Sequence, residues 1–176
     1  MKKCILLVAF ICVGGFVRAQ SESVFDVART GSVEDARKMV ASDPKLVNAV
    51  NAEGYSPLIL ACYRSNNEVA KYLLEKGADI DALSGMGTAL MAAVVKGNQE
   101  MVRYLLEKKA NPNLADQNGT TALLYAVMFK KHEIASLLVN AGANTGHKDN
   151  HGQSAIDYAV VANDDKFIEI LKSKKL

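Results

Sequence analysis

The residues that could do chemistry are few and scattered. His147 and His151 stand four apart with Asp149 between them. On a turn this trio could recruit a metal, but it falls short of the ligand set that a rigid zinc site takes. His132 lies in a polar stretch, Lys130-Lys131-His132-Glu133. Cys62 sits in an apolar run, where a thiol packs as a small hydrophobe unless a base activates it. Gly85-Met86-Gly87 would suit a phosphate loop, and Asp164-Asp165 a carboxylate pair. Asn118-Gly119-Thr120 fits an N-glycosylation sequon, silent in a bacterial cell and able to carry sugar on a turn in a eukaryotic one.

A repeat decides most of these candidates. Thr88-Ala89-Leu90 reappears as Ser56-Pro57-Leu58 upstream, then as Thr121-Ala122-Leu123 and Ser154-Ala155-Ile156 downstream, at steps of 32, 33 and 33 residues. A fixed period in this range marks a stacked array of small units. Across the units Cys62 aligns with Val94, Val127 and Val160, which makes it a core position. His132 aligns with Gln99 and Asp165, a wet surface corner. The glycines recur because each turn needs one, so Gly85-Met86-Gly87 is a turn. Asp164-Asp165 reads as negative charge at a helix start. No catalytic constellation remains, and nothing calls for a metal or a cofactor. The chain reads as a non-enzyme.

The first residues stand apart from the array. Lys2 and Lys3 make a positive start, Cys4 to Val13 is an apolar run, and Val17-Arg18-Ala19 resembles a small-residue cleavage site. This predicts a signal peptide over residues 1–19 and an exported protein, periplasmic or secreted. The alternative is an uncleaved anchor, for which the run is short, since a spanning helix needs about 20 residues. Residues 1–19 hold Lys2, Lys3 and Arg18 and no acid, so their loss takes 21 basic against 19 acidic residues to 18 against 19, a net charge near −1. A near-neutral chain gives no electrostatic reason to expect nucleic acid. Cys4 and Cys12 leave with the signal, and Cys62 alone cannot form an internal disulfide.

Residues 20–176 are enough for one domain. The period divides them into repeats at about 22–50, 51–82, 83–114, 115–147 and 148–176. The spacing predicts paired helices at Val24 to Thr30 with Val33 to Ala41, and at Ser56 to Ser65 with Asn67 to Lys76; a last helix runs from about Asp165 to Lys172. Ser23, and the Ser or Thr at 56, 88, 121 and 154, sit where helix N-caps belong. Pro44 should stop or redirect the first pair. Polar residues on the first repeat, and Lys174 and Lys175 after the last, keep the end faces wet. The turn entering the third unit is one residue short, which predicts a different shape there. Ala61, Ala93, Ala126 and Ala159 are equivalent and let helices approach closely. The pairs Leu73-Leu74, Leu105-Leu106, Leu137-Leu138 and Ile170-Leu171 are taken as equivalents that pack between repeats.

At these residues the chain resembles an ankyrin-repeat protein. Gly54-Tyr55-Ser56-Pro57-Leu58 with Ala61, then Val69, Leu73-Leu74 and Gly77-Ala78-Asp79-Ile80-Asp81, match the family pattern. So do Thr88, Leu90, Gly97-Asn98 and Ala110-Asn111-Pro112-Asn113, and later Gly119, Thr121, Leu123 and Gly142-Ala143-Asn144. The resemblance covers about residues 22–172 and implies an all-α solenoid of helix-turn-helix repeats with β-turn fingers. Four departures concern loops: Ile59, Met91, Leu124 and Asp157 stand where the family has His, Pro survives only at Pro57, and Lys109 and Lys130 replace glycines. With its export signal and small size, the chain is similar to stand-alone bacterial ankyrin proteins of the periplasm.

In such folds the concave face, built from finger tips and the first helix of each pair, usually meets a protein partner. Tyr63-Arg64, Val95-Lys96, Met128-Phe129 and Val161-Ala162 are the outward positions before each corner, with Tyr55, Leu83, Met86, Gln117 and Tyr125 beside them. Tyr63, Val95, Met128 and Val161 would form a row across the stack. An exposed apolar row with aromatics marks a contact surface; otherwise these side chains finish the core between fingers. The expectation is a monomer that binds a protein partner, with no membrane attachment once the signal is cleaved. Its role would be that of an accessory or stress-protective partner, or of an immunity-type inhibitor. The alternative is a secreted host-directed effector, although the chain has no room for an attached catalytic domain.

Overall fold

The computed structural model describes residues 23–173. The signal peptide expected over residues 1–19 and the terminal Lys174 and Lys175 lie outside the described residues. Among the described residues the chain forms ten α-helices and one 3-10 turn. They are α1 (Val24–Thr30), α2 (Val33–Ser42), the 3-10 turn Pro44–Asn48, α3 (Pro57–Arg64), α4 (Asn67–Glu75), α5 (Ala89–Lys96), α6 (Gln99–Glu107), α7 (Ala122–Met128), α8 (His132–Asn140), α9 (Ala155–Val161) and α10 (Asp165–Lys172). Odd-numbered helices pack on one another in one layer, and even-numbered helices form the second. Pro44 redirects the chain by starting the 3-10 turn.

The caps explain where the odd helices start. Ser56, Thr88, Thr121 and Ser154 accept from the backbone N–H three residues on, at 3.3, 3.3, 3.4 and 3.3 Å. Each such cap stabilises its helix by about 1 kcal/mol. Ser23 with Asp26 and Ser32 with Asp35 form reciprocal capping boxes, which keep the short helices of the first repeat wound.

Between layers the core is continuous. Ala61, Ala93, Ala126 and Ala159 are fully buried. The leucine equivalence needs a correction. The buried ladder is Leu73, Leu105, Leu138 and Leu171, which keeps steps of 32, 33 and 33 residues. The second members of the first two pairs, Leu74 and Leu106, are only half-buried, as are Leu137 and Ile170, the first members of the last two. The last two pairs had therefore slipped by one residue. A run such as Leu137-Leu138-Val139 can be set against Leu105-Leu106 in two ways, and only one keeps the helix face.

Corners and fingers carry the departures from regularity. The corners after α3, α5, α7 and α9 put Ser65, Gly97, Lys130 and Asn163 in the left-handed region, at φ of 58°, 70°, 53° and 55°. Lys109, at φ 70°, likewise takes the conformation that Gly77 and Gly142 take in their repeats. The lysines thus keep the loop geometry, at a cost that glycine would avoid. The third finger does differ. Ser84 and Gly87 exchange both backbone hydrogen bonds, at 3.1 and 3.0 Å, around a two-residue tip of Gly85 and Met86. Gly87 has φ 87°, and an added Cβ would strike Met91 Sδ. The second, fourth and fifth fingers close one step wider, by Asn51 N–H to Tyr55, Asp116 N–H to Thr120 and Asp149 N–H to Gln153.

Candidate functional site

The ends of the odd-numbered helices and the finger tips carry the candidate residues. Tyr63 and Arg64 end α3, Val95 and Lys96 end α5, Met128 ends α7 with Phe129 as its cap, and Val161 ends α9. The row is not uniform. Tyr63 and Val95 are half-buried, whereas Met128 and Phe129 are 47% and 46% exposed. Val161, in the last described repeat, is 82% exposed. Phe129 stacks on Tyr125 at 6.1 Å between ring centroids. The Lys96 ammonium lies 5.2 Å from the centre of the Tyr63 ring, a cation–π placement.

The N-terminal part of this face is concave. A cavity of about 390 Å³ is lined by Arg29, Glu53, Tyr55, Ile59, Leu60, Tyr63, Arg64 and Met86. It gathers four of the candidates, Tyr55, Tyr63, Arg64 and Met86, and adds two charged residues that sequence reasoning missed. Arg29 comes from the worn first repeat, whose register gives no partner to align it with. Glu53 sits on the tip of a finger, where no helical period signals it. The other candidates are elsewhere. Gln117 lies on the fourth finger, its side-chain nitrogen reaching toward Gly85, and Tyr125 is fixed below that finger. Leu83 and Met86 leave the short third finger as exposed apolar groups.

The charge-bearing candidates for chemistry are occupied structurally. Cys62 is fully buried, and burial pushes its thiol up to about 12, so it stays protonated and inert. His147 makes a 2.7 Å bond with the Gly119 carbonyl. Asp149 accepts from the Tyr158 hydroxyl and from the backbone N–H groups of His151 and Gln153. Among the described residues no cluster of three or more metal-ligating side chains assembles. Asp164 caps α10 through the Phe167 N–H, as expected of a helix-start acid.

His132 is not a plain surface residue. Its Nε2 lies 2.9 and 3.0 Å from the two Asp164 oxygens, and its ring stacks on Phe167 at 4.0 Å. It is half-buried. The bond to His132 holds the Asp164 carboxyl below its usual value. The contact bridges two repeats, so an alignment of each unit with itself does not show it.

Asn118 is exposed at the tip of the fourth finger. That finger is tied to the fifth: Asn150 donates its side-chain and backbone N–H to the Gln117 and Asn118 carbonyls, both at 3.0 Å. Among the described residues, no helix is long and apolar enough to cross a membrane.

Comparison with known proteins agrees with this geometry. A family model described as ankyrin repeats in three copies matches residues 24–116 and 109–175. Ankyrin repeat and SAM domain-containing protein 6 of Mus musculus is 37% identical over 100 residues, 56% of this chain and 11% of that protein. The protein of the same name from Danio rerio is 38% identical over 58 residues, 33% of this chain and 8% of its own length. A putative ankyrin repeat protein of Acanthamoeba polyphaga mimivirus is 54% identical over 35 residues, 20% of this chain and 3% of that protein. The chain thus spans about a tenth or less of these relatives. With the family model matching nearly all the described residues, the chain belongs to the ankyrin-repeat family, whose repeats serve as protein–protein interaction modules.

Proposed function

We propose that this protein is an exported, non-enzymatic binding module that holds a partner protein against its concave face. The observation that carries the reading is a cavity continued by exposed apolar groups. Tyr55, Tyr63, Arg64 and Met86 line the cavity, and Met128 and Phe129 extend the surface across the stack. A rigid stack is pre-organised, so little ordering entropy opposes binding. The apolar start at residues 1–19 supports export. An accessory or immunity-type role for a partner in the same compartment follows from that address.

Two measurements test this. Cell fractionation with N-terminal sequencing of the isolated protein should find it outside the cytoplasm and beginning at Gln20. A photo-crosslinking amino acid placed at Phe129 should capture a protein in the native cell, and the same group at exposed Glu75 on α4 should not. Crosslinking from Glu75 alone would move the contact to the outer helices, and a cytoplasmic full-length chain would remove the export reading.

A further inference from the structure

The cavity between the first three repeats is more than an apolar dip. Its floor is Ile59, Leu60 and Tyr63, and Met86 of the short third finger forms one wall. At about 390 Å³ it lies near the lower end of ligand pockets, which run about 300–1,000 Å³. That volume takes a large side chain of a larger partner together with a neighbouring residue of the same segment.

Its charges are unevenly placed. Arg29 is engaged by Asp26 at 3.1 Å. Among the described residues Arg64 and Lys96 join no ion pair. They occupy the same position in consecutive repeats, and Lys96 leans over Tyr63 at the cavity edge. In the next two repeats that position is Phe129 and Ala162, so at this one position the cations fall only at the cavity end. Glu53 lines the cavity from the second finger. A carboxylate entering here is repelled from the finger and drawn to the helix ends. Two free cations are too few to follow a nucleic-acid backbone, which takes many phosphate contacts.

We propose that the cavity is a socket for an acidic–aromatic segment of the partner protein. One aromatic or long aliphatic side chain fills the space over Ile59, Leu60 and Tyr63. A neighbouring Asp or Glu of the same segment pairs with Arg64 and Lys96. The pairing gives orientation as well as attraction, because a guanidinium holds a carboxylate in a planar fork. This inference rests on the concave face being the protein-binding surface and names the chemistry it recognises.

The test pans a phage library of short random peptides on the full chain, then measures the enriched peptides by fluorescence polarisation. The expected peptides carry Asp or Glu within two positions of Phe, Tyr, Trp or Leu. Arg64→Glu should weaken them about tenfold or more, with a shallower salt dependence. Glu75→Lys, exposed on α4 and outside the concave face, should leave them bound. Arg64 is exposed, so thermal unfolding of its variant should match the parent and exclude misfolding. Enriched peptides without acidic residues, or equal binding to Arg64→Glu, would overturn the acidic–aromatic socket. If those peptides were instead lost with Phe129→Glu, the concave-face reading would stand with its centre elsewhere. Loss with neither Arg64→Glu nor Phe129→Glu would count against both, and a library yielding no binder would overturn the socket.

Discussion

The Tyr125 hydroxyl donates a 2.6 Å hydrogen bond to Asp116 Oδ2. The other carboxylate oxygen accepts the backbone N–H groups of Asn118 and Thr120, at 2.8 and 2.9 Å. One aspartate therefore folds the fourth finger and ties it to α7. The fifth repeat copies the arrangement with Tyr158 and Asp149, nine residues apart like the first pair. Removing the hydroxyl in Tyr125→Phe leaves a buried carboxylate oxygen short of a donor. The expected cost is about 1–2 kcal/mol, read as a lower urea midpoint. An unchanged midpoint would mean water replaces the hydroxyl without loss.

The same pair contributes to stability at alkaline pH. Burial first, and then the bond to Asp116, push the Tyr125 phenol up to about 12, against an ordinary value of about 10. A folded-state value above the unfolded one contributes stability that is whole below about pH 10 and is lost as pH rises through about 12. Urea midpoints should therefore fall between about pH 10 and pH 12, and fall less in Tyr125→Phe. The acid side has the opposite sign. Hydrogen bonds from Tyr158, Ser154 and His132 hold Asp149, Asp157 and Asp164 below the usual carboxylate range. Their contribution is present above about pH 4 and disappears as pH falls below it. A flat stability profile across either wing would contradict these assignments.

A ladder on the opposite edge predicts a stabilising change. Asn48 donates to the Gly77 carbonyl at 3.1 Å and accepts the Asp79 N–H at 2.8 Å. Asn113 does the same with Gly142 and Asn144, at 3.2 and 2.7 Å. Between them stands Asp81, which accepts the Asn111 N–H at 2.9 Å but has no donor to offer the Lys109 carbonyl. Asp81→Asn should restore the missing bond and raise stability by about 1 kcal/mol. A lower unfolding midpoint would show that the carboxylate serves the turn better than the amide.

Much of the fold could be read before the structure, because stacked repeats align with one another. The caps at Ser56, Thr88, Thr121 and Ser154 came from four agreeing positions, and the odd third finger from a single missing residue. What was lost lies between repeats or outside their register. His132 needs Asp164, one repeat away, and nothing within either unit signals the bond. The Leu137-Leu138 slip arose because an unbroken apolar run carries no phase of its own. The cavity depends on Arg29 and Glu53, one in an eroded repeat and one on a finger tip. Pattern fixes core positions well, because burial is periodic; a binding surface is defined by what protrudes, which is not.

The alanine ladder lies at the heart of the stack. Ala93 is fully buried, with α3 and α7 both packed on its helix. Ala93→Leu should overpack this layer and lower stability by roughly 1–3 kcal/mol. Thermal unfolding unchanged from the parent would mean that the layer has slack and that small size there is not required.

The concave face is the claim on which the functional account depends. The most direct measurement is affinity capture from an extract of the native organism, with residues 20–176 as bait. A second bait carries Tyr63→Glu, Met128→Glu and Phe129→Glu together, checked by circular dichroism for an intact helical fold. The account predicts a protein retained by the first bait and lost from the second. A protein retained equally by both would contradict it and place the binding surface on the outer helices or on the finger tips away from the row.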